Sequence, residues 1–417
     1  MISRIKGTQD FLDTTLFNFF IEAVKKHLAV YHFSEIATPI IEPVDLFIRT
    51  LGRETDIVSK EMFLLQSKTD TVSKQICLRP EGTAPIMRAF LESSVQNVPW
   101  KVFSHGPMFR YERPQKGRSR QFHQITLEII GAESFYEDVQ LLTMLDRLFQ
   151  EVLKLDNFAL LINYLGTVQD RESFKKMIYQ FLNQHEAILC EHCKIRKEIN
   201  ILRIFDCKNV TCKELYKNAP RIYDYFSKES QKEWQEIQEQ LQLLSVPYSV
   251  DPLLVRGLDY YDKVVFEFVS ENLGAQNAFC AGGRYNRLAQ EIGSKKDYPS
   301  IGAAIGIERI LLLLELYKDT LPLPPLKPLH IIIPVEDAQI PLALLIADEL
   351  HAATITTEIL FDGSLKHKMR SAHRMGARYV IFIGPEELAQ HQVNIKDMIT
   401  GSEEKMAQSI LVEFLKK

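Results

Sequence analysis

The sequence predicts an α+β fold: an antiparallel sheet core with helices packed on it, a helical insertion, and a C-terminal α/β domain. Three observations carry that prediction. Strand-like segments at Lys101–Arg110, Phe122–Ile130 and Val264–Val269 have helix-forming stretches between only some of them, which suits antiparallel pairing. From about Gln169 to Gln242 the composition turns rich in Lys, Glu and Gln, with short amphipathic helical pieces. The run Pro322-Leu323-Pro324-Pro325-Leu326-Lys327-Pro328 cannot continue a helix, prefers an extended conformation and sets off the rest of the chain.

A chain of 417 residues exceeds one ordinary core, so two or three domains are expected. Hydrophobic residues make up 46% and charged residues 25%, within the soluble globular range. A net charge of -4 provides no global attraction for nucleic acid, so any polyanion site must be local. The segment Met1–Asp10 is polar and lacks the apolar core of a secretory signal, and the longest apolar run, Ile310–Leu314, is too short to span a bilayer. A cytoplasmic or organelle-matrix protein is expected, and six cysteines fit a reducing compartment.

Element by element, Leu16–Tyr31 has helical apolar spacing, and Phe33–Ile41 reads as a strand interrupted by Pro39, which implies an edge or an interface. A short strand at Gln75–Leu78 leads into Arg79-Pro80-Glu81-Gly82-Thr83. There Glu81 and Thr83 either grip an ammonium group or cap a helix that starts near Thr83. Between Arg110 and Arg120 stand Arg110, Arg113, Lys116, Arg118 and Arg120 against a single Glu112. Such a loop repels itself unless a polyanion or carboxylates neutralise it. In the strand that follows, Gln124, Thr126 and Glu128 share one face while His123, Ile125, Leu127 and Ile129 share the other. The polar face is either a lined pocket or a solvated surface.

Within the insertion lie Cys190, Cys193, Cys207 and Cys212, two close pairs separated by a loop. That is the pattern of four thiolates around zinc, with His192 as an alternative ligand and plain reduced cysteines as the other reading. Leu254–Tyr261 reads LVRGLDYY: an arginine that stays charged, Gly257 for close backbone approach, and Tyr260 and Tyr261 with flat faces and hydroxyl tips. Either these residues receive an anionic group beside a ring, or Arg256 pairs with Asp259 to hold a turn.

Ala281-Gly282-Gly283-Arg284-Tyr285 brings backbone close to something and follows it with an aromatic. Ile301–Leu314 runs from a small-residue strand into a helix that carries Glu308 and Arg309 in its first turn. Arg309 is placed either to stack on a base or outside a packed joint. Beyond the proline run, His330–Val335 and Tyr379–Ile383 read as buried strands and Leu342–Leu350 as a helix. A further helix after Asp362-Gly363-Ser364 places Lys366, Arg370, Arg374 and Arg378 at steps of four, as one basic stripe.

Taken together, these stretches resemble the histidyl-tRNA synthetases, a class II aminoacyl-tRNA synthetase family, over nearly the whole chain and in order. Ser34-Glu35-Ile36-Ala37-Thr38-Pro39 is similar to the family's first motif, whose proline lies at the dimer interface. Phe109–Glu128 is similar to the second motif and Gly302–Leu313 to the third. LVRGLDYY and Gly282-Gly283-Arg284-Tyr285 resemble the two histidine-specific signatures.

The resemblance implies formation of histidyl-adenylate from ATP and L-histidine, with Mg2+, then transfer of histidine to tRNA(His) by a cytoplasmic homodimer with no membrane partner. It implies that Arg110 and Arg256 bind the α-phosphate and that Arg309 stacks on adenine. Glu81, Thr83 and Gln124 would hold the amino group of histidine, and Glu128 and Tyr261 would meet the imidazole, with Tyr260 and Tyr285 also in the pocket. Arg113, Gln115, Lys116 and Arg118 would guide the tRNA acceptor end. A zinc ion on Cys190, Cys193, Cys207 and Cys212 stays open.

The implied domains are a catalytic core in two parts, 1–168 and 243–321, an insertion at 169–242, a linker at 322–328 and an anticodon-binding domain at 329–417. One departure is Asn286, where the family commonly has aspartate, which leaves the local hydrogen bonding open. Two rivals share parts of the pattern. A regulatory subunit of the first histidine-biosynthetic enzyme has the core without tRNA charging, and a prolyl or threonyl synthetase has the general motifs without LVRGLDYY.

Overall fold

The period-two segments pair into one large sheet. Its setting is a computed structural model that describes residues 2–53, 55–66, 75–115, 117–256, 260–274, 276–325 and 327–416. Lys116, Gly257 and Asp259 lie outside the described residues, and with them the Arg256–Asp259 pairing. The chain divides into two compact units, Met1–Leu323 and Pro324–Lys417.

The first unit contains β1 (Ser34–Glu35), β2 (Ile41–Pro43), β3 (Phe63–Leu65), β4 (Ile76–Leu78), β5 (Trp100–Phe109), β6 (Gln121–Ile130), β7 (Ala159–Tyr164), β8 (Ser249–Val250), β9 (Asp262–Val269), β10 (Ala278–Arg284) and β11 (Ser300–Gly306). The large sheet runs β1-β5-β6-β11-β10-β9-β7-β8, and β2-β4-β3 form a small second sheet. Pairing in the large sheet is antiparallel except at its two ends, β1 with β5 and β7 with β8.

The apolar face of β6 explains the layer on that side. Ile125, Leu127 and Ile129 are buried in one cluster with Phe20, Val24 and Leu28 of the helix Thr15–Val30 and Ile310 and Leu314 of the helix Ile307–Leu314. Each such side chain contributes about 1.5–3 kcal/mol by leaving water. The helices Val44–Leu51, Thr83–Glu92 and Leu288–Ile292 pack in a second cluster with Val102, Ile130 and Tyr285. Ile130 and Val102 share their sheet face with Glu128 and its neighbours, so this cluster borders the polar face of β6.

The strand expected over Phe33–Ile41 is a correction: only Ser34–Glu35 and Ile41–Pro43 are strands. Pro39 has no N–H for a ladder. The Arg79 guanidinium instead ties the intervening segment, donating to Thr38 O at 3.0 Å and Thr38 Oγ1 at 2.9 Å.

The segment that the sequence sets apart at 169–242 is helical, with Val168–Gln184, Glu191–Ile199, Val210–Lys217 and Lys228–Leu243 joined by short 3-10 turns. Asp170 locks its two ends together. Its carboxylate closes a capping box with Thr167 and also accepts from Ser227 N at 2.7 Å and Ser230 Oγ at 2.6 Å.

In the second unit, β12 (His330–Pro334), β13 (Thr357–Ile359), β14 (Tyr379–Ile383), β15 (Gln392–Asp397) and β16 (Glu403–Ala407) make a sheet ordered β13-β12-β14-β15-β16. β12 is parallel to both neighbours, while β15 and β16 extend the sheet antiparallel. The basic stripe is shorter than its spacing suggests. The helix Leu365–Arg374 carries Lys366, Arg370 and Arg374 exposed, but it ends before Gly376, and Arg378 pairs with Asp397 at 2.7 Å. A glycine at φ +70° turns the chain out of the helix, so the four-residue step no longer applies at Arg378. Among the described residues, no helix is long and apolar enough to cross a membrane.

Candidate active site

Gln124, Thr126 and Glu128 stand in a trough cut by small neighbours. In register with them are Gly306, Ala304 and Gly302 on β11, and Gly106, Ser104 and Val102 on β5. Directly opposed residues of antiparallel strands project to the same face, so the three polar side chains rise from a floor largely without side chains. The floor continues on β10 through Gly283, opposite Gly302, and Ala281, opposite Ala304, and ends on β9 at Glu267, opposite Ala281. A Cβ on Gly302 would collide with the Glu128 carboxylate, and one on Gly82 with the Thr126 hydroxyl.

Three tyrosines form one wall. Ring centroids are 4.6 Å apart for Tyr260 and Tyr261 and 5.6 Å for Tyr260 and Tyr285, and the Tyr261 ring lies against Gly283. Glu128 is fully buried and accepts a hydrogen bond from the Tyr285 hydroxyl. Burial pushes the Glu128 carboxyl up to about 8; the Thr83 and Tyr285 hydroxyls pull it back, and the Glu81 charge adds to the rise. Burial also pushes the Tyr261 hydroxyl up to about 12, against the pull of Arg256.

Glu81 caps the helix Thr83–Glu92. Its two oxygens accept from Thr83 N at 2.8 Å and Ala84 N at 2.9 Å. Burial still holds its pKa above the ordinary value.

Five polar atoms around this trough are buried with no hydrogen-bond partner among the described residues: Gln124 Oε1, Thr126 Oγ1, Glu128 Oε1, Tyr260 Oη and Arg256 Nε. Leaving a buried polar atom unpaired costs about 1–3 kcal/mol. Such a concentration at one place marks a site built for a polar ligand.

Arginines line the other side. Arg256 is ion-paired with Glu267, and the two side chains are 20% and 21% exposed. Arg110 is oriented by donating from Nε to Pro80 O at 2.9 Å and by lying 5.3 Å from the centre of the Phe122 ring. No carboxylate among the described residues forms an ion pair with it. Arg309 donates to Gly117 O at 3.1 Å and to Ala278 O. Its pKa is lowered by burial first and then by the charges of Arg118 and Arg110 around Glu112. This residual repulsion among cations is what an anionic ligand would relieve.

The basic loop is partly self-neutralised. Arg118 pairs with Glu112 at 2.6 Å, and Arg120 lies 3.9 Å from the centre of the Tyr111 ring. Arg113 and Gln115 are exposed. Arg284 is structural: its buried guanidinium pairs with Asp138 and donates to Ala132 O and Ser134 O. At Asn286, the side-chain Oδ1 accepts from Arg284 Nη1 at 3.4 Å, and the backbone N–H donates to Asp262 Oδ2 at 3.3 Å.

Sequence reasoning left out Glu267 and gave Gly302 and Arg79 no role of their own, although both stand in motifs read from the sequence. A lone carboxylate inside the apolar strand Val264–Val269 was the available signal for Glu267. A glycine opposite Glu128 has no signature until the register is known.

The large antiparallel sheet with its polar trough fits the fold expected of a class II aminoacyl-tRNA synthetase. Residues 20–310 match the family described as Histidyl-tRNA synthetase, and residues 330–417 match the Anticodon binding domain. Curated proteins named Histidine--tRNA ligase are 40% identical in Fervidobacterium nodosum and 39% in Thermodesulfovibrio yellowstonii, each alignment covering 100% of this chain and 98% of the relative. The crystal structure of apo Staphylococcus aureus histidyl-tRNA synthetase superposes with a TM-score of 0.81 at 31% identity, covering 100% of both chains. The chain belongs to the histidyl-tRNA synthetase family.

Proposed function

We propose that the chain ligates L-histidine to tRNA(His), forming histidyl-adenylate and pyrophosphate from histidine and ATP and then transferring histidine to the 3′ end of the tRNA. The observation that carries this reading is the set of partnerless buried polar atoms around the Gly302 trough. An imidazole offers two ring nitrogens, so a carboxylate at one and a hydroxyl at the other read it as no apolar pocket can. Glu128 and Tyr261 take those roles. Glu81, Thr83 and Gln124 hold the amino group, and Tyr260 and Tyr285 line the ring.

Activation is an in-line displacement. A carboxylate oxygen of histidine bonds to the α-phosphorus, the bond to the β-phosphate bridging oxygen breaks, and pyrophosphate leaves with the electron pair. Arg110 and Arg256 meet the α-phosphate from two sides and stabilise the charge that spreads over it. Arg256 does so by shifting part of its charge interaction from Glu267 to the phosphate. Arg309 presents its flat face to adenine.

Glu112, Glu267 and Glu308 are paired with Arg118, Arg256 and His123. Mg2+ arriving with ATP would offset charge on the leaving pyrophosphate. No side-chain nucleophile is required.

The same reading gives a cytoplasmic homodimer with the catalytic core at 1–168 and 243–321, the insertion at 169–242 and the anticodon-binding domain at 329–417. Arg113, Gln115, Lys116 and Arg118 guide the acceptor end. Charging of unfractionated tRNA with labelled amino acids tests the reading. Incorporation of histidine alone, confined to tRNA(His), is expected. Charging with a different amino acid, or none with histidine, would refute it.

A further inference from the structure

The sulfurs of Cys190, Cys193, Cys207 and Cys212 all lie within 4.8 Å of one another, and Cys190 Sγ is 3.7 Å from Cys207 Sγ. Around a tetrahedral zinc with Zn–S bonds of about 2.3 Å, sulfurs stand about 3.8 Å apart. A disulfide would need about 2.05 Å, and all six cysteines are free. Buried cysteines acting as small apolar side chains have no reason to converge. Cys77 and Cys280, equally buried, sit singly on separate strands. We propose that these four cysteines bind one structural zinc ion, which fastens the two short helices of the insertion to each other.

The surrounding backbone suits thiolates. Cys190 precedes the helix Glu191–Ile199 and Cys193 lies in its first turn. Cys207 and Cys212 straddle Asn209, whose side chain caps the helix Val210–Lys217 by accepting from Cys212 N at 3.2 Å. Both cysteine pairs thus sit at helix starts, where the backbone carries partial positive charge. Two sulfurs also accept N–H hydrogen bonds, Cys212 Sγ from Cys190 N at 3.3 Å and Cys207 Sγ from Asn209 N at 3.4 Å. The buried Tyr216 hydroxyl lies beside Cys193, where it would donate to a metal-bound thiolate.

Four protein sulfurs complete a tetrahedron and leave no open position, so the ion is structural rather than catalytic. His192 is exposed and outside the sulfur group, which removes it as a ligand. Cys190 alone of the four is only partly buried and marks the route by which the metal enters. Tetrathiolate sites also take iron, so the test must identify the metal.

The full chain, purified without chelator or a metal-affinity tag, is analysed for metals and then titrated with an organomercurial in the presence of a zinc-sensitive dye. One zinc per chain, released in step with modification of four thiols, is the expected result. Cobalt substitution should produce the sulfur-to-metal charge-transfer absorption of a tetrahedral thiolate site, and that absorption should be missing from C190S and C212S. Absence of zinc from the folded wild type, iron in its place, or four thiols modified with no metal release would each overturn the proposal. Full zinc retention in both variants would do the same. Should a variant fail to fold, the wild-type metal content and mercurial release still decide the matter.

Discussion

Arg256 is ion-paired with Glu267, a carboxylate that shares a cross-sheet row with Thr126 through Ala281 and Ala304. Three strand spacings, roughly 14 Å, separate Glu267 from Thr126, and the charge of Arg256 also reaches the Tyr261 hydroxyl. The guanidinium acts most strongly where charge builds up in the transition state, so removing it should affect chemistry more than amino-acid binding. For Arg256→Ala we expect adenylate formation to slow by about 10²–10³-fold, the range for removing one preorganised hydrogen-bond donor. Histidine affinity should change only a few-fold. Rapid-quench kinetics and calorimetry separate the two, and an unchanged turnover would remove Arg256 from the mechanism.

Glu128 gives the protein a pH signature. Its folded carboxyl titrates near 8 against an ordinary value of 4.5, so between these values the folded state holds a proton that the unfolded state has lost. The resulting stability is fully present below the unfolded value and is lost as pH rises through 8, by at most about 1.4 kcal/mol per pH unit. Between pH 6.5 and 8 the unfolding midpoint of the wild type should fall more steeply than that of Glu128→Gln. Added histidine, by donating to the carboxylate, should restore the wild type and not the variant. Parallel slopes for the two proteins would contradict the assignment.

Gly302 sets the depth of the pocket. Gly302→Ala should raise the histidine KM by roughly 10–100-fold, since a methyl group would displace the Glu128 carboxylate from its place beside Tyr285 and cost on the order of 1–3 kcal/mol. Circular dichroism would check that the fold survives, and an unaltered KM in a folded variant would show that the trough is not where histidine sits.

In the second unit, Lys366, Arg370 and Arg374 keep exposed side chains on one helix. Reversing Lys366 and Arg370 to glutamate should weaken tRNA binding and flatten its salt dependence by roughly one unit of slope for each phosphate that is no longer neutralised. Reversing Arg378 is a poorer probe, because its pair with Asp397 would be broken as well. Filter binding across a salt series would show this, and unchanged affinity and slope would exclude the helix from the tRNA interface.

The sequence reveals its fold where side chains carry the period. The alternation of Gln124, Thr126 and Glu128 with Ile125, Leu127 and Ile129 displays both faces of β6, and the spacing of Leu16, Phe20, Val24 and Leu28 displays the first helix. It conceals what glycine and proline do. The strand β10 carries Gly282 and Gly283 and lacks a readable alternation, while Pro39 hides how little of Phe33–Ile41 pairs.

The site is legible to a similar degree. Arg110, Arg256, Glu81 and Glu128 stand out by charge in motif positions. The floor at Gly302 and Ala304 and the Glu267 partner of Arg256 emerge only from register across β6, β11, β10 and β9.

The most direct test of the histidine pocket is pyrophosphate exchange into ATP, measured with each amino acid in turn on the full chain supplied with Mg2+. The pairing of Glu128 and Tyr261 predicts exchange with histidine and with no other amino acid. Exchange driven by a different amino acid, or none with histidine from a folded sample, would contradict it.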